Sequence, residues 1–280
     1  MHMRVEAPAK LNLSLRIPGK REDGFHEVET LMVRLPGLAD DLTIEAAGSF
    51  GLEVEGGRVE AGPDNLVTRA VRAFEDRTGT DCRYRVRLEK RIPAGAGLGG
   101  GSSDAAAMLK ALNELEETAL LDGELRELGA GLGSDVPFFL GSGPCLCRGR
   151  GEIIEPAETP PLEVLLLKPA FGVSTAEAYR RWASSKPLAG VRYEPQEVAG
   201  LSLVNDLERP VYEKYRFLAE VKCWLREQIE VRAALMSGSG AAVFAVLHEA
   251  GMAEGLARRA RRELDPGMWW WAGRAAGSGE

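Results

Sequence analysis

The chain has 280 residues, of which 45% are hydrophobic and 28% charged, and its formal net charge is −7. That length allows one large domain or two intimate ones with a sizeable core, and the acidic balance excludes an electrostatic footprint for nucleic acid. No apolar run reaches membrane-spanning length and the leading MHMRVEAPAK lacks a signal-peptide core, so the expectation is a cytoplasmic protein with no membrane partner.

In chain order, RVEAP, LNLSLRI, VETLMVRL, LTIEA and LEVEG read as strands, with PGKREDGFH as a polar link between two of them. DNLVTRAVRAFEDRTG is the first amphipathic helix: Leu66, Val67, Ala70, Val71 and Phe74 fall at helical spacing and Gly79 is a stop. RYRVRLEKRI is a strand that runs straight into IPAGAGLGGGSSDAAAMLK. There Ser102 or Ser103 can cap a helix whose Ala106, Leu109, Leu112 and Leu115 share a face. LDGELRELGAGL is a second helix, followed by GSDVPFFLGSG and short strands through CLCRG and EIIEP. PAETPP at 156–161 is the best boundary, dividing the chain into 1–157 and 158–280.

Beyond it come a buried strand EVLLLKP, a helix STAEAYRRWA, a looser stretch, and a long helix at about 211–229. VRAALMSGSGAAVFAVL is strand, Gly-rich turn, strand; a helix and a last strand at MWWWAG follow, with AAGSGE a loose tail. Cys145 and Cys147 share a strand face, but no second pair of zinc ligands stands nearby, so they and Cys82 and Cys223 read as reduced core thiols. Strands come first and helices later, without a regular βαβ rhythm, which predicts a two-layer α+β architecture.

Gly95, Gly97, Gly99, Gly100 and Gly101 concentrate conformational cost directly before a helix. The first amides of a helix lack internal partners and carry partial positive charge, so a glycine turn there lets backbone N–H groups close on an anion, phosphate above all. No Lys follows the glycines until Lys110, which excludes a Walker loop. Gly95, Gly97 and Gly100 match G-x-G-x-x-G, but a dinucleotide fold needs a second parallel strand after the helix, where this chain has another helix. Protein-kinase signatures are absent from the sequence.

PAGAGLGGGSSDAAA resembles the phosphate loop of the superfamily of galactokinase, homoserine kinase, mevalonate kinase and phosphomevalonate kinase. APAKLNLSL near the start and MSGSGAAVFAV near the end fit its other motifs. The set APAKLNLSL, EDGFHEVETL, DNLVTRA, GLGGGSSDAAA, GSDVPFFL and RGRGE is most similar to the branch that acts on a cytidine diphosphate-linked alcohol. The resemblance implies a two-lobed small-molecule kinase fold, with a strand-rich N-terminal lobe, an α/β C-terminal lobe and the active site in the cleft between. It implies transfer of the γ-phosphoryl group of ATP to the 2-hydroxyl of the cytidine diphosphate-linked methylerythritol, in the non-mevalonate route to isoprenoid precursors. Rival readings are a homoserine- or mevalonate-type kinase, a nucleotide-dependent oxidoreductase, and a non-catalytic nucleotide-binding relative.

The resemblance also implies residue roles. Pro93, Ala94, Gly95, Ala96, Gly97, Leu98, Gly99, Gly100, Gly101, Ser102 and Ser103 hold ATP, with adenine contacts from Asn65 and the Lys90 region. Asp135 is the base and Lys10 the cation that offsets charge on the moving phosphoryl group. His26 meets the cytosine edge, Phe25 (Tyr in many relatives) and Tyr179 stack on the base, Thr175 lies near the ligand, and Asn12 touches the methylerythritol end. Local pattern alone leaves other readings open: Asn65 and Asp135 as helix caps, Lys10 as an exposed lysine, Tyr179 as a core aromatic, and MSGSG as a plain β-turn. Mg²⁺ accompanies ATP, with Ser103 and Asp135 as candidate contacts through water and no assigned protein ligand. The expected assembly is a monomer or weak homodimer.

Overall fold

Two long strands carry the N-terminal sequence: β1 (His2–Lys20) and β2 (His26–Ala46). The breaks expected at Pro8 and Pro36 are absent; both prolines lie inside continuous strands. The computed structural model describes residues 2–57, 59–118 and 120–278. These form two compact units, each drawn from several stretches of chain.

The first unit takes the chain up to Ala9, then Leu38–Ala94 and Gly99–Ser142. It holds β3 (Gly51–Glu55), α1 (Leu66–Thr78), β4 (Tyr84–Glu89), α2 (Gly100–Leu115), α3 (Asp122–Leu132) and α4 (Val136–Leu140). β4 pairs antiparallel with the Asp41–Ala46 end of β2 and parallel with β3. Burial alternates along β4, with Tyr84, Val86 and Leu88 inward, as a sheet covered on one face requires. α1 packs on α2. Asn65 caps α1, its Oδ1 accepting from Val67 N at 2.9 Å, and Gly79 ends it in the left-handed region at φ 74°.

The second unit takes Lys10–Gly37, Gly95–Leu98 and Gly143–Glu280, so the Pro-rich 156–161 segment lies inside it. It holds β5 (Cys145–Arg148), β6 (Ile153–Pro156), β7 (Leu162–Lys168), α5 (Thr175–Trp182), β8 (Gln196–Val198), β9 (Leu201–Asn205), α6 (Glu208–Lys214), α7 (Arg216–Arg226), β10 (Val231–Met236), β11 (Val243–Leu247), α8 (Ala253–Glu263) and β12 (Trp269–Ala275). β10, β11, β7 and β12 form a four-stranded sheet in that order, and β9 runs parallel to β1. The core gathers Leu165 and Leu167 of β7, Val243 and Ala245 of β11, and Leu218, Val221 and Leu225 of α7 against Leu256, Ala257 and Ala260 of α8. β5 places Cys145 and Cys147 on one buried face. The mixed strand and helix content is the expected α+β class.

Three expectations need correction. Helix α2 starts at Gly100 with Gly99 as its cap, so Ser102 and Ser103 sit inside the first turn. The expected helix 211–229 is two helices, because Tyr215 leaves the helical region (φ −111°, ψ 70°) and its ring stacks on Phe171 at 5.4 Å. The tail is tied down through Ser278: Ser278 N donates to Thr159 O and Thr159 N to Ser278 Oγ, both at 2.9 Å, and Ala276 N donates to Arg34 O at 2.9 Å. Gly279 and Glu280 lie outside the described residues. No helix among the described residues is long and apolar enough to cross a membrane.

Candidate active site

Lys10 and Asn12, two apart on β1, share a face. Both are nearly fully buried, at 3% and 4% exposure, so Lys10 is no ordinary surface lysine. Its ammonium donates to Asn12 Oδ1; Asn12 Nδ2 donates to Thr30 Oγ1 at 2.8 Å, and that hydroxyl donates to Ser14 O at 2.6 Å. The carboxamide is thereby fixed with its oxygen toward the lysine.

Gly95–Leu98 belongs to the same unit and is stitched to Lys10 and to the Ser237–Gly240 turn between β10 and β11. Lys10 N donates to Leu98 O at 2.9 Å, Ala241 N to Gly95 O at 2.9 Å, Ala242 N to Ala96 O at 3.1 Å, and Ser237 Oγ to Gly97 O at 3.1 Å. At Gly97, φ is 74° and an added Cβ would lie 2.1 Å from Ser237 O, so only glycine fits. At Gly238, φ is 52° and an added Cβ would lie 3.0 Å from Asn12 Oδ1, 3.2 Å from Gly97 O and 3.3 Å from Lys10 Nζ. The MSGSG segment is thus a close-fitting neighbour of Lys10 rather than a plain β-turn.

The remaining glycines belong to the first unit. Ser103 N donates to Gly99 O at 2.9 Å, the first bond of α2, so the amides of Gly100, Gly101 and Ser102 precede any intrahelical acceptor. With the dipole of this 16-residue helix behind them, they form an end that carries partial positive charge. Ser103 Oγ donates to Pro8 O at 2.7 Å.

Below this helix end lies a buried ionic cluster. The Lys90 ammonium donates to Asp40 and, at 2.6 Å, to Asp104 Oδ2. Asp40 Oδ1 also accepts from Arg91 N and, at 2.8 Å, from Ile92 N. Lys90 therefore clamps the approach to the glycine loop onto the helix that leaves it. Burial pushes the Asp104 carboxyl up to about 7; Lys90 opposes the rise and Asp40 adds to it.

Asp135 stands partly buried at the head of α4 with Pro137 behind it, but its side chain makes no capping hydrogen bond. Capping therefore does not account for this carboxylate. Asn65, by contrast, does cap α1, and its Nδ2 also donates to Glu60 O at 3.0 Å.

In the second unit, His26 packs against two aromatics of α5: Tyr179 at 5.4 Å between centroids and Trp182 at 5.7 Å, edge-on. Burial, helped by the charge of Lys20, holds the His26 pKa below its usual value and favours the neutral ring. Thr175 opens α5 one turn before Tyr179 and shares a hydrogen bond with Ser239 at 2.7 Å. Phe25 is half exposed, and the Arg150 guanidinium lies 3.7 Å from its ring centroid. Trp182 and Arg150 were missed by sequence reasoning. The i, i+3 spacing of Trp182 after Tyr179 was a usable signal; nothing local announces Arg150 over Phe25.

A profile described as the GHMP kinases N terminal domain matches residues 65–143, and one described as GHMP kinases C terminal matches residues 189–265. A homoserine kinase from Cytophaga hutchinsonii shares the fold with TM-score 0.70 at 16% identity, over 99% of this chain and 95% of that one. Fold, glycine loop and turn define a GHMP-type small-molecule kinase, a phosphotransferase. A crystal structure of 4-(cytidine 5'-diphospho)-2C-methyl-D-erythritol kinase is nearer, with TM-score 0.79 and 37% identity over 99% of this chain and 100% of that one. The 4-diphosphocytidyl-2-C-methyl-D-erythritol kinase of Methylacidiphilum infernorum (isolate V4) is 41% identical over 270 residues, 94% of this chain and 93% of its own length. The chain belongs to the family of 4-diphosphocytidyl-2-C-methyl-D-erythritol kinases.

Proposed function

We propose that this protein transfers the γ-phosphoryl group of ATP to the 2-hydroxyl of 4-diphosphocytidyl-2-C-methyl-D-erythritol. The segment Pro93–Ser103 holds the triphosphate, with the free amides at the head of α2 on its oxygens. Asn65 and the surroundings of Lys90 take the adenine, the Lys90 ammonium itself staying with Asp40 and Asp104. Asp135 accepts the proton of the 2-hydroxyl as it attacks, and Lys10 offsets the negative charge that develops. Asn12 holds Lys10 and faces the methylerythritol end.

The observation that favours this acceptor over homoserine or mevalonate is the His26–Tyr179–Trp182 group, because neither rival has a base to stack. A neutral His26 suits the cytosine edge, since one ring nitrogen donates while the other accepts. Phe25 lacks the hydroxyl of a tyrosine and offers a face already covered by Arg150. Thr175, tied to Ser239, closes this side.

Mg²⁺ fits as a passenger of the triphosphate. In this reading Asp135 and Ser103, whose hydroxyl donates to Pro8 O, would contact it through water. Bound there, it would neutralise phosphate charge. A cytoplasmic setting and a monomer or weak homodimer go with this reading.

The test is ADP release by purified protein with Mg-ATP and, in turn, the cytidine diphosphate methylerythritol, homoserine and mevalonate. Turnover is expected with the first alone; preference for either of the others rejects the reading. Lys10→Ala and Asp135→Asn should each lower kcat by about 10²–10⁴-fold with the far-UV spectrum unchanged. His26→Ala should raise KM for the cytidine substrate about tenfold and leave KM for ATP nearly constant; equal changes in both would reject the cytosine role.

A further inference from the structure

Asn205 ends β9 in a stretch, VNDLE, that local pattern leaves without a role. It is 4% exposed and every part of its carboxamide is engaged. Nδ2 donates to Met236 O at 2.7 Å and to Gly238 O at 2.8 Å, while Oδ1 accepts from Leu207 N at 2.9 Å. Three bonds of this kind leave the amide one orientation. Glu208 grips the same strand end, its Oε1 accepting from Met236 N at 2.9 Å.

The residue is also registered on the strand that carries Lys10 and Asn12. Asn205 lies opposite Leu15 in the parallel β1–β9 pair, Asp206 N donates to Leu15 O at 2.9 Å, and Ile17 N donates to Asp206 Oδ2 at 2.8 Å. One short segment therefore locates both β1 and the turn that lies against it. The turn leaves no room for a side chain: an added methyl at Gly238 would sit 3.0 Å from Asn12 Oδ1 and 3.3 Å from Lys10 Nζ. The backbone of the turn is thus an immediate neighbour of the lysine and its amide partner, and displacing it changes their surroundings.

We propose that Asn205 is a positioning residue for phosphoryl transfer, its carboxamide holding the Met236–Gly240 turn against Lys10, Asn12 and the Gly95–Leu98 backbone. This rests on the role given to Lys10 above. Asn205 acts through the turn and touches neither substrate.

The experiment compares Asn205→Ala and Asn205→Asp in the full chain. Asp keeps the size of the side chain but, ionised, cannot donate to Met236 O or Gly238 O. At pH 8 both variants should lose about 30-fold or more in kcat, with both KM values within about threefold of wild type. Between pH 8 and 6 the Asp variant should recover about fivefold relative to wild type as its buried carboxyl takes up a proton and donates again, while the Ala variant stays flat. Amide exchange of residues 236–242 should quicken about tenfold in both variants, with α7 and α8 unchanged. A folded variant within about threefold of wild-type kcat, unchanged exchange in the turn, or a pH-independent Asp variant would overturn the assignment. If wild type itself fails on the cytidine substrate, the function proposed above falls instead; the kinetic comparison is then made on the acceptor it does use, and the exchange measurement stands unaltered.

Discussion

Two buried lysines brace the two glycine turns of this chain, and their charges are balanced differently. In the first unit Lys90 meets two carboxylates, Asp40 and Asp104, where the chain approaches and leaves the glycine loop. In the second, Lys222 meets Glu208 alone, with Arg192 O as a further acceptor at 2.7 Å and Tyr212 donating to Glu208 at 2.9 Å. One ammonium neutralises one carboxylate. Burial holds the Asp104 carboxyl up at about 7, and the second carboxylate of the first brace, Asp40, adds to the rise. That brace is redundant and sensitive to pH near neutrality; the Glu208 brace is balanced and has no spare.

The largest effect that would sharpen this contrast is Glu208→Ala. It strands a buried ammonium, the Met236 N–H and the Tyr212 hydroxyl, and should lower unfolding free energy by about 3–5 kcal/mol in guanidinium titrations. A loss below about 1 kcal/mol would mean that Lys222 is satisfied without it. Asp40→Ala should cost less, about 2–3 kcal/mol, because Asp104 remains to neutralise Lys90 while Arg91 N and Ile92 N lose their acceptor. A loss equal to that of Glu208→Ala would break the claim of redundancy.

Asp104→Asn is subtler and reads out in pH. A carboxyl whose folded pKa is raised binds its proton more tightly when folded, so its share of stability is full below the unfolded value near 4 and is lost as pH rises toward about 7. Wild type should lose stability across that window relative to Asp104→Asn; parallel melting curves for the two would refute a raised Asp104 carboxyl. The smallest change is Tyr212→Phe, which gives up one hydrogen bond to Glu208 for about 1 kcal/mol, with no pH signature of its own.

The features readable from sequence are those whose partners are close along the chain. The strand-to-helix course around the glycines and the cap reading of Asn65 both follow from local pattern. Asn205 was passed over as part of a loose stretch because its partners lie 31 and 33 residues away. Helical spacing runs unbroken across Tyr215, and only a ring stacked from Phe171 marks the break. The interleaving of the two units was equally hidden, since β1 and β2 are long enough to pass through both and no composition change marks the crossing.

The fit of Gly97 against Ser237 bears on how glycines in such loops are interpreted. A relative that had lost all affinity for nucleotide would still need glycine at 97, because the clash is with its own backbone. Gly101 is different: a methyl there would meet nothing nearer than Leu66 Cδ1 at 3.4 Å, an ordinary contact. Alanine at 101 is therefore a clean reporter of the guest, since the fold has no objection to it, whereas glycine at 97 testifies only to architecture.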